Sequence, residues 1–302
     1  MPNYNHAPFL KERLDSIFAQ DYPNKEVIIL DDASHDDSVS ILRQYARLPE
    51  VKSLIINEKN SGNTFCQWQR GMELATGDYI WIAESDDVAE TTLLSSLVKA
   101  LETNHAQLAF ARSRFIDENG RDLPRKVDPV FRRSFAMNGK DFVANYMLGE
   151  NTICNASAVL FRREASLRVD MHQVEQFPAS GDRFFWISIA LQGNIAFVAE
   201  DLNSFRQHGN KVSIKAAQDG RNFVQDHHIY RLISPRLSLS RRQQQKICGY
   251  QWQVIHLPWI SDEGKKQAIE EWGKERYFTK WSWLIYKTNR IIPRLQSILC
   301  SI

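Results

Sequence analysis

Over its first 113 residues the chain alternates short runs of consecutive apolar residues with stretches whose apolar residues recur every three or four positions. Strands and helices taken in turn leave few folds open, and the pattern predicts a mostly parallel sheet with helices on both faces. Leu10, Leu14, Ile17 and Phe18 fall at helical spacing, and Pro8 suits a first turn. Residues 27–30 are four apolar residues in a row, the pattern of a strand covered on both faces. Then come a short helix through Leu42 and Tyr45 capped by Asp37 or Ser38, a strand at 53–57, a helix at 64–75 and a strand at 79–83. A helix at 91–103 turns Leu94, Leu97, Val98 and Leu101 inward, and a strand covers 107–113.

The segment 117–134 is polar, basic and proline-containing, and reads as a loop. Asn138 caps an expected helix at 139–148, followed by a strand at 156–161, a helix at 181–192 and a strand at 195–198. Beyond about residue 215 the pattern is helical and polar, which divides the chain into an α/β domain at 1–214 and a helical region at 215–302. With 43% hydrophobic residues among 302, the chain can bury a full core. A net charge of +2 argues against a nucleic-acid partner. Cys66, Cys154, Cys248 and Cys300 are scattered without a CxxC, as expected of buried free thiols in a reducing compartment. No apolar run reaches the ~18 residues of a membrane span, and the first ten residues do not read as a leader, so a cytoplasmic location is expected.

Two of the expected strands run into acidic pairs, Asp31-Asp32 and Asp86-Asp87. Ligands of such sheets bind outside the carboxyl ends of the strands. Paired carboxylates at a rigid sheet edge are hard oxygen donors suited to Mg²⁺ or Mn²⁺ carrying a diphosphate. An acidic pair can equally do no more than start a turn. No glycine-rich phosphate loop follows the first strand and no GxGxxG occurs, against a nucleotidyltransferase or an NAD-dependent dehydrogenase.

Five segments taken in order resemble family 2 glycosyltransferases: residues 2–38, NSGN at 60–63, ATGDYIWIAESDD at 75–87, SGDRFFW at 180–186 and RQHGNKVS at 206–213. The resemblance covers about the first 70% of the chain. It implies a GT-A, Rossmann-like fold and an inverting, non-processive transfer of a sugar from a nucleotide-diphosphate donor to a glycan or lipid-linked acceptor in bacterial surface-polysaccharide synthesis. It also implies nucleotide-binding roles for Tyr4, Asp31, Asp32, Asn63 and Asp86, metal binding by Asp87 and His208, and Asp182 as the general base. Asn63 and Asp182 are equally placed to cap helices, Asp31 to end its strand, and His208 to lie on the surface. Arg206 and Lys211 are placed to neutralise phosphate charge, and Glu84 stands where many relatives carry aspartate. No QxxRW motif of the processive members is present.

The family's first apolar strand, central in its sheet, is missing ahead of the PNYN segment, so two strand edges are expected to be unpaired. That gap opens an alternative: an inactive sugar-nucleotide-binding or scaffold protein derived from such an enzyme. Residues 270–299 interleave aromatic and basic side chains, which suit either a peripheral contact with an anionic membrane, at its inner face, or a helical cap with its charged face in water.

Overall fold

The computed structural model describes residues 1–124, 131–208 and 212–288, with the backbone alone at 212–214. The chain divides into two compact units, residues 1–139 with 153–209, and residues 140–152 with 210–302.

In the first unit β1 (Pro2–Asn3), β2 (Val27–Asp31) and β3 (Val51–Ile56) form a parallel sheet in that order. α1 (Ala7–Phe18) and α2 (Ser38–Tyr45) cover one face, with Leu10, Leu14, Ile17 and Leu42 packed on Val27 and Ile29. α3 (Thr64–Leu74) follows β3, started by the Asn63 side chain, which accepts the Phe65 N–H at 3.0 Å. A second sheet holds β4 (Tyr79–Trp81), β5 (Val88–Ala89), β6 (Ala106–Ile116), β7 (Phe135–Asn138), β8 (Val159–Arg162) and β9 (Asn194–Arg206). Its order is β4-β8-β6-β9-β5, with β7 also on β9; only the β6–β9 pair is parallel. α4 (Leu93–Thr103) packs Leu93, Leu94, Leu97 and Leu101 on this sheet. α5 (Gly139–Phe142) begins at the last residue before the chain passes into the second unit, and α6 (Arg163–Ser166), α7 (Met171–Glu175) and α8 (Gly181–Ala190) fill the remaining connections of the first.

The parallel alternation expected from the sequence thus holds for the first three strands, and the second sheet is mixed. β9 runs to Arg206, well past the apolar 195–198, because its later residues are polar and hide a long pairing with β6. β7 was not foreseen: Asn138, expected as a helix cap, ends this strand, and Phe135 packs on Phe197 with ring centroids 5.5 Å apart. Cys154 is exposed, against the expectation of burial, whereas Cys248 is buried; Cys300 lies outside the described residues.

Among the described residues no strand pairing joins the two sheets. β1 covers β2 only at Leu30 and Asp31. Beyond it a slot of about 350 Å³ separates the edges of β2 and β4, lined by Ile28 and Leu30 on one side, Ile80 and Ile82 on the other, and roofed by Trp68 and Met72. Met1 stands at its mouth: its amine donates to the Ile28 carbonyl at 2.7 Å, and its own carbonyl accepts from Leu30 N–H at 3.0 Å. Burial, with help from the Arg13 charge, pushes this amine down to about 5.

The second unit is helical: α9 (Val212–Gln218), α10 (Arg221–Ile233), α11 (Arg241–Ile255) and α12 (Asp262–Trp272), with 280–288 also helical. Ser240 and Gln243 form a reciprocal cap on α11, and Ser261 caps α12. Trp272, Phe278 and Tyr286 are buried in this unit, and the Trp272 indole donates to the Phe223 carbonyl at 2.9 Å. Among the described residues no helix is long and apolar enough to cross a membrane.

Candidate active site

Both acidic pairs lie at the carboxyl ends of their strands, the first closing β2 and the second following β4. Asp31 is fully buried, and its carboxylate accepts from Asn3 Nδ2 at 2.7 Å and from the Ser34 N–H and hydroxyl at 2.9 and 2.7 Å. Those bonds bend the chain after β2 into a turn in which Ala33 takes a φ of 62°. Asp32 accepts from Asn57 Nδ2 at 2.6 Å, Gln67 Nε2 at 2.8 Å and the Ser61 N–H and hydroxyl at 3.0 and 2.7 Å. The Asp32 carboxylate therefore pins the loop between β3 and α3. Tyr4 is 42% exposed beside this turn, and Asn63 serves as the α3 cap.

Asp86 and Asp87 turn opposite ways. Asp87, the expected metal ligand, is 1% exposed, and its oxygens accept from Asn155 Nδ2 at 2.8 Å, the Arg206 N–H at 3.0 Å and the Ser157 hydroxyl. Burial and the neighbouring Asp86 charge push it up to about 6 against the pull of Arg13. Asp86 instead faces His208, with Nε2 to Oδ2 at 3.0 Å, each side chain 13% exposed. His6, just ahead of α1, brings a second imidazole, and one ligand atom each from His6, Asp86 and His208 lies within 4.8 Å of the others. Two imidazoles and a carboxylate can hold a divalent cation, and the nitrogen donors favour Mn²⁺ over the oxygen-seeking Mg²⁺. His208 thus joins Asp86 rather than Asp87, and His6 is a partner the sequence reading did not single out. Nothing in NHAPF distinguishes that histidine from a helix-start residue; only the fold brings it to Asp86.

Two buried arginines organise the acids. Arg13, fully buried on α1, lies 4.7 Å over the Trp81 ring and donates to Ser157 at 3.3 Å; burial pulls it down to about 10 against the opposing charges of Asp87, Asp86 and Glu84. Glu84 turns to α3, accepting from Trp68 Nε1 at 2.9 Å, and burial raises it to about 7, aided by Asp86. Arg206 ends β9, and Lys211 lies outside the described residues.

Asp182 occupies the first turn of α8, preceded by Ser180 as N-cap. α8 is anchored by packing: a Cβ on Gly181 would come within 2.5 Å of the Phe65 ring, and Trp186, wholly buried, lies 5.7 Å from Trp68. This puts the start of α8 against the start of α3, next to the loop that Asp32 pins.

The family model for glycosyl transferase family 2 matches residues 1–169. The chain belongs to this family. Over 311 residues it is 24% identical to the poly(ribitol-phosphate) beta-N-acetylglucosaminyltransferase TarP of Staphylococcus aureus, covering 97% of this chain and 88% of the relative. It is also 24% identical over 213 residues to the putative teichuronic acid biosynthesis glycosyltransferase TuaG of Bacillus subtilis, covering 70% of this chain and 79% of the relative. Among solved structures, S. aureus TarS in complex with UDP-GlcNAc matches with a TM-score of 0.67 and 18% identity over 90% of this chain and 78% of the other. A mannosyltransferase of Pyrobaculum calidifontis with GDP-Man and Mn²⁺ matches with a TM-score of 0.58 and 18% identity over 96% and 78%. The fold is that of the GT-A glycosyltransferases, with a helical C-terminal region.

Proposed function

We propose that this family 2 glycosyltransferase moves one sugar per encounter, with inversion, from a nucleoside-diphosphate donor to a hydroxyl of a glycan or lipid-linked acceptor in cell-surface polysaccharide synthesis. The convergence of His6, Asp86 and His208 at the edge where such sheets bind ligands carries the reading. The names of the relatives TarP and TuaG, and the nucleotide sugars bound to TarS and the mannosyltransferase, support the donor and acceptor classes.

In this reading Asp86, His208 and His6 hold the metal, and Asp87 supports Asp86 from beneath. A bound divalent cation would offset the charge gathering on the departing diphosphate. The turn after β2 and the loop pinned by Asp32 shape the nucleotide pocket, with Tyr4 at its rim and Asn63 at its floor. Asp182 takes the proton from the acceptor hydroxyl as its oxygen attacks the anomeric carbon. The bond from that carbon to the diphosphate oxygen breaks on the far side, and the nucleoside diphosphate leaves. The helix N-terminus keeps a carboxylate in the first turn ionised, and so open to a proton, although it also lowers its basicity.

The test is Mn²⁺-dependent release of nucleoside diphosphate from UDP-, GDP- and dTDP-sugars. Release lost in Asp86→Ala, with Asp182→Asn retaining donor binding but losing transfer, is the expected result. Unimpaired transfer by Asp182→Asn refutes the base assignment, and no release from any donor favours the inactive binding protein. For the second unit, we place a peripheral contact with anionic lipid on Trp281 and Leu284, both exposed, beside Lys280 and Lys287, since Trp272, Phe278 and Tyr286 are taken by the core. Co-sedimentation of the whole chain with anionic but not neutral vesicles, weakened in Trp281→Asp, is the matching observation.

A further inference from the structure

The three side chains proposed to hold the metal come from three separate segments: the start of α1, the turn after β4 and the residues just beyond β9. The pairing of β5 with β9 ties the second segment to the third, and His6 Nδ1, 2.8 Å from Ser85 Oγ, ties the first to the second, but neither reaches all three. One guanidinium touches all three segments. Arg206 is 1% exposed although charged. Its Nε donates to the Asp86 carbonyl at 2.7 Å, and its own backbone N–H donates to Asp87 Oδ1 at 3.0 Å. Its Nη1 donates to the carbonyls of Asp117 and Glu118 at 3.2 and 3.1 Å. Its Nη2 donates to Glu12 Oε2 at 2.5 Å. The plane lies 4.9 Å over the Phe9 ring. Phe9 stacks in turn on His208 with centroids 5.4 Å apart and meets His6 edge-on at 5.9 Å.

The geometry points to Arg206 and Glu12 as a positioning pair that sets the spacing of the His6–Asp86–His208 triad; this rests on the metal-site reading above. The fork form of arginine is essential to it. A guanidinium can hold a carbonyl, a second pair of carbonyls and a carboxylate at fixed angles, whereas an ammonium is a point charge with none of that geometry. Outer partners of metal ligands typically change metal affinity by about 10- to 100-fold when removed. Glu12 gives the cleaner test, because its side chain is 55% exposed and contributes little to the core.

The measurement is Mn²⁺ binding to the full chain by electron paramagnetic resonance, with no donor present, beside the melting temperature of each variant. Glu12→Ala is expected to weaken Mn²⁺ binding about tenfold or more while melting close to the parent. Glu12→Gln, which keeps an acceptor for Nη2, should recover part of the affinity. Arg206→Lys should weaken Mn²⁺ binding at least as much, and if that variant does not fold, the Glu12 pair decides. Parent binding lost in Asp86→Ala but within twofold of parent in both Glu12 variants overturns the positioning pair and leaves the metal site standing. A parent chain that binds no Mn²⁺ overturns the metal site and the pair together.

Discussion

Acetylating the Met1 amine should stabilise the protein in a way that depends on pH. The amine is held at the mouth of the slot between β2 and β4, donating to the Ile28 carbonyl. Its pKa is pushed from 8.0 down to about 5. In the unfolded chain the same amine keeps its ordinary value, so between these two values the unfolded state binds more protons than the native one. Stability therefore rises with pH across that window, and the penalty is present in full below the folded value. Three pH units correspond to about 4 kcal/mol at most under the acid limit, and the same relation leaves about 1.4 kcal/mol at pH 7 and almost none at pH 9. An acetyl group abolishes the charge but leaves an N–H for Ile28. The groups that act on the amine are Arg13, which disfavours its charge, and Glu84, which favours it.

Urea denaturation of the free and acetylated chains at pH 5.5, 7 and 9 reads the difference directly. Glu84 and Asp87, both raised on folding, titrate over part of the same range with the opposite sign: their contribution is full at low pH and is lost as pH rises through about 7 and about 6. Asp87 is common to both chains and cancels in the difference, whereas Glu84 is coupled to the amine, so acetylation removes a charge that holds its carboxyl down and Glu84 moves further up in the acetylated chain. A stabilisation equal at all three pH values, or none at pH 5.5, refutes the argument that a buried charge at the slot is the cost.

Lengthening the chain by six apolar residues ahead of Met1 should raise the melting temperature further, because the added strand can pair with β2 and cover Ile28 and Ile80; an identical melting temperature for both chains contradicts the slot as a strand site. Asp87→Ala should cost about 3–5 kcal/mol in urea unfolding, since it strands Asn155, Ser157 and the Arg206 N–H around a buried charge-lined space. Gly139→Ala should destabilise by about 1–3 kcal/mol or more, read as a fall in melting temperature, because the new Cβ would lie 1.7 Å from the Ala190 carbonyl oxygen.

Much of the first unit was legible because its elements announce themselves locally. Ile28, Ile29 and Leu30 form an unbroken apolar run, and Leu93 to Leu101 keep one helical stripe, so β2 and α4 were placed within a residue or two. β7 and the far half of β9 were not, because FAMN alternates over only four residues and EDLNSFR carries no two-residue alternation; their pairing is decided by partners distant in sequence. At the site, the strand-terminal carboxylates, His208 and Asp182 were named from motifs, but motifs do not say which of two adjacent side chains faces out. His6 and Glu12 gave no signal, since their neighbours Ser85 and Arg206 reach them only where α1 meets the ends of β4 and β9. The aromatic–basic stretch near the C-terminus was half read: Trp272, Phe278 and Tyr286 proved to be core, and residues 289–299 lie outside the described residues.

The acidic pair after β4 shows why the order of two identical residues matters. Asp86 lies in a turn and Asp87 follows it just ahead of β5, and the two carboxylates part there, one to the sheet interior and one to the ligand edge. Asp87 takes the interior and meets three donors there, among them the backbone of the residue whose side chain grips the Asp86 carbonyl. A cation cannot replace those donors without leaving each of them buried and unsatisfied, at roughly 1–3 kcal/mol apiece. Asp86 has the His208 imidazole at 3.0 Å, and the His6 imidazole offers a second nitrogen within 4.8 Å while its Nδ1 meets the Ser85 hydroxyl at 2.8 Å. In the proposed reading the metal therefore goes to the more exposed of the two acids. The buried one earns its place by holding Asn155, Ser157 and the end of β9 in register beneath it.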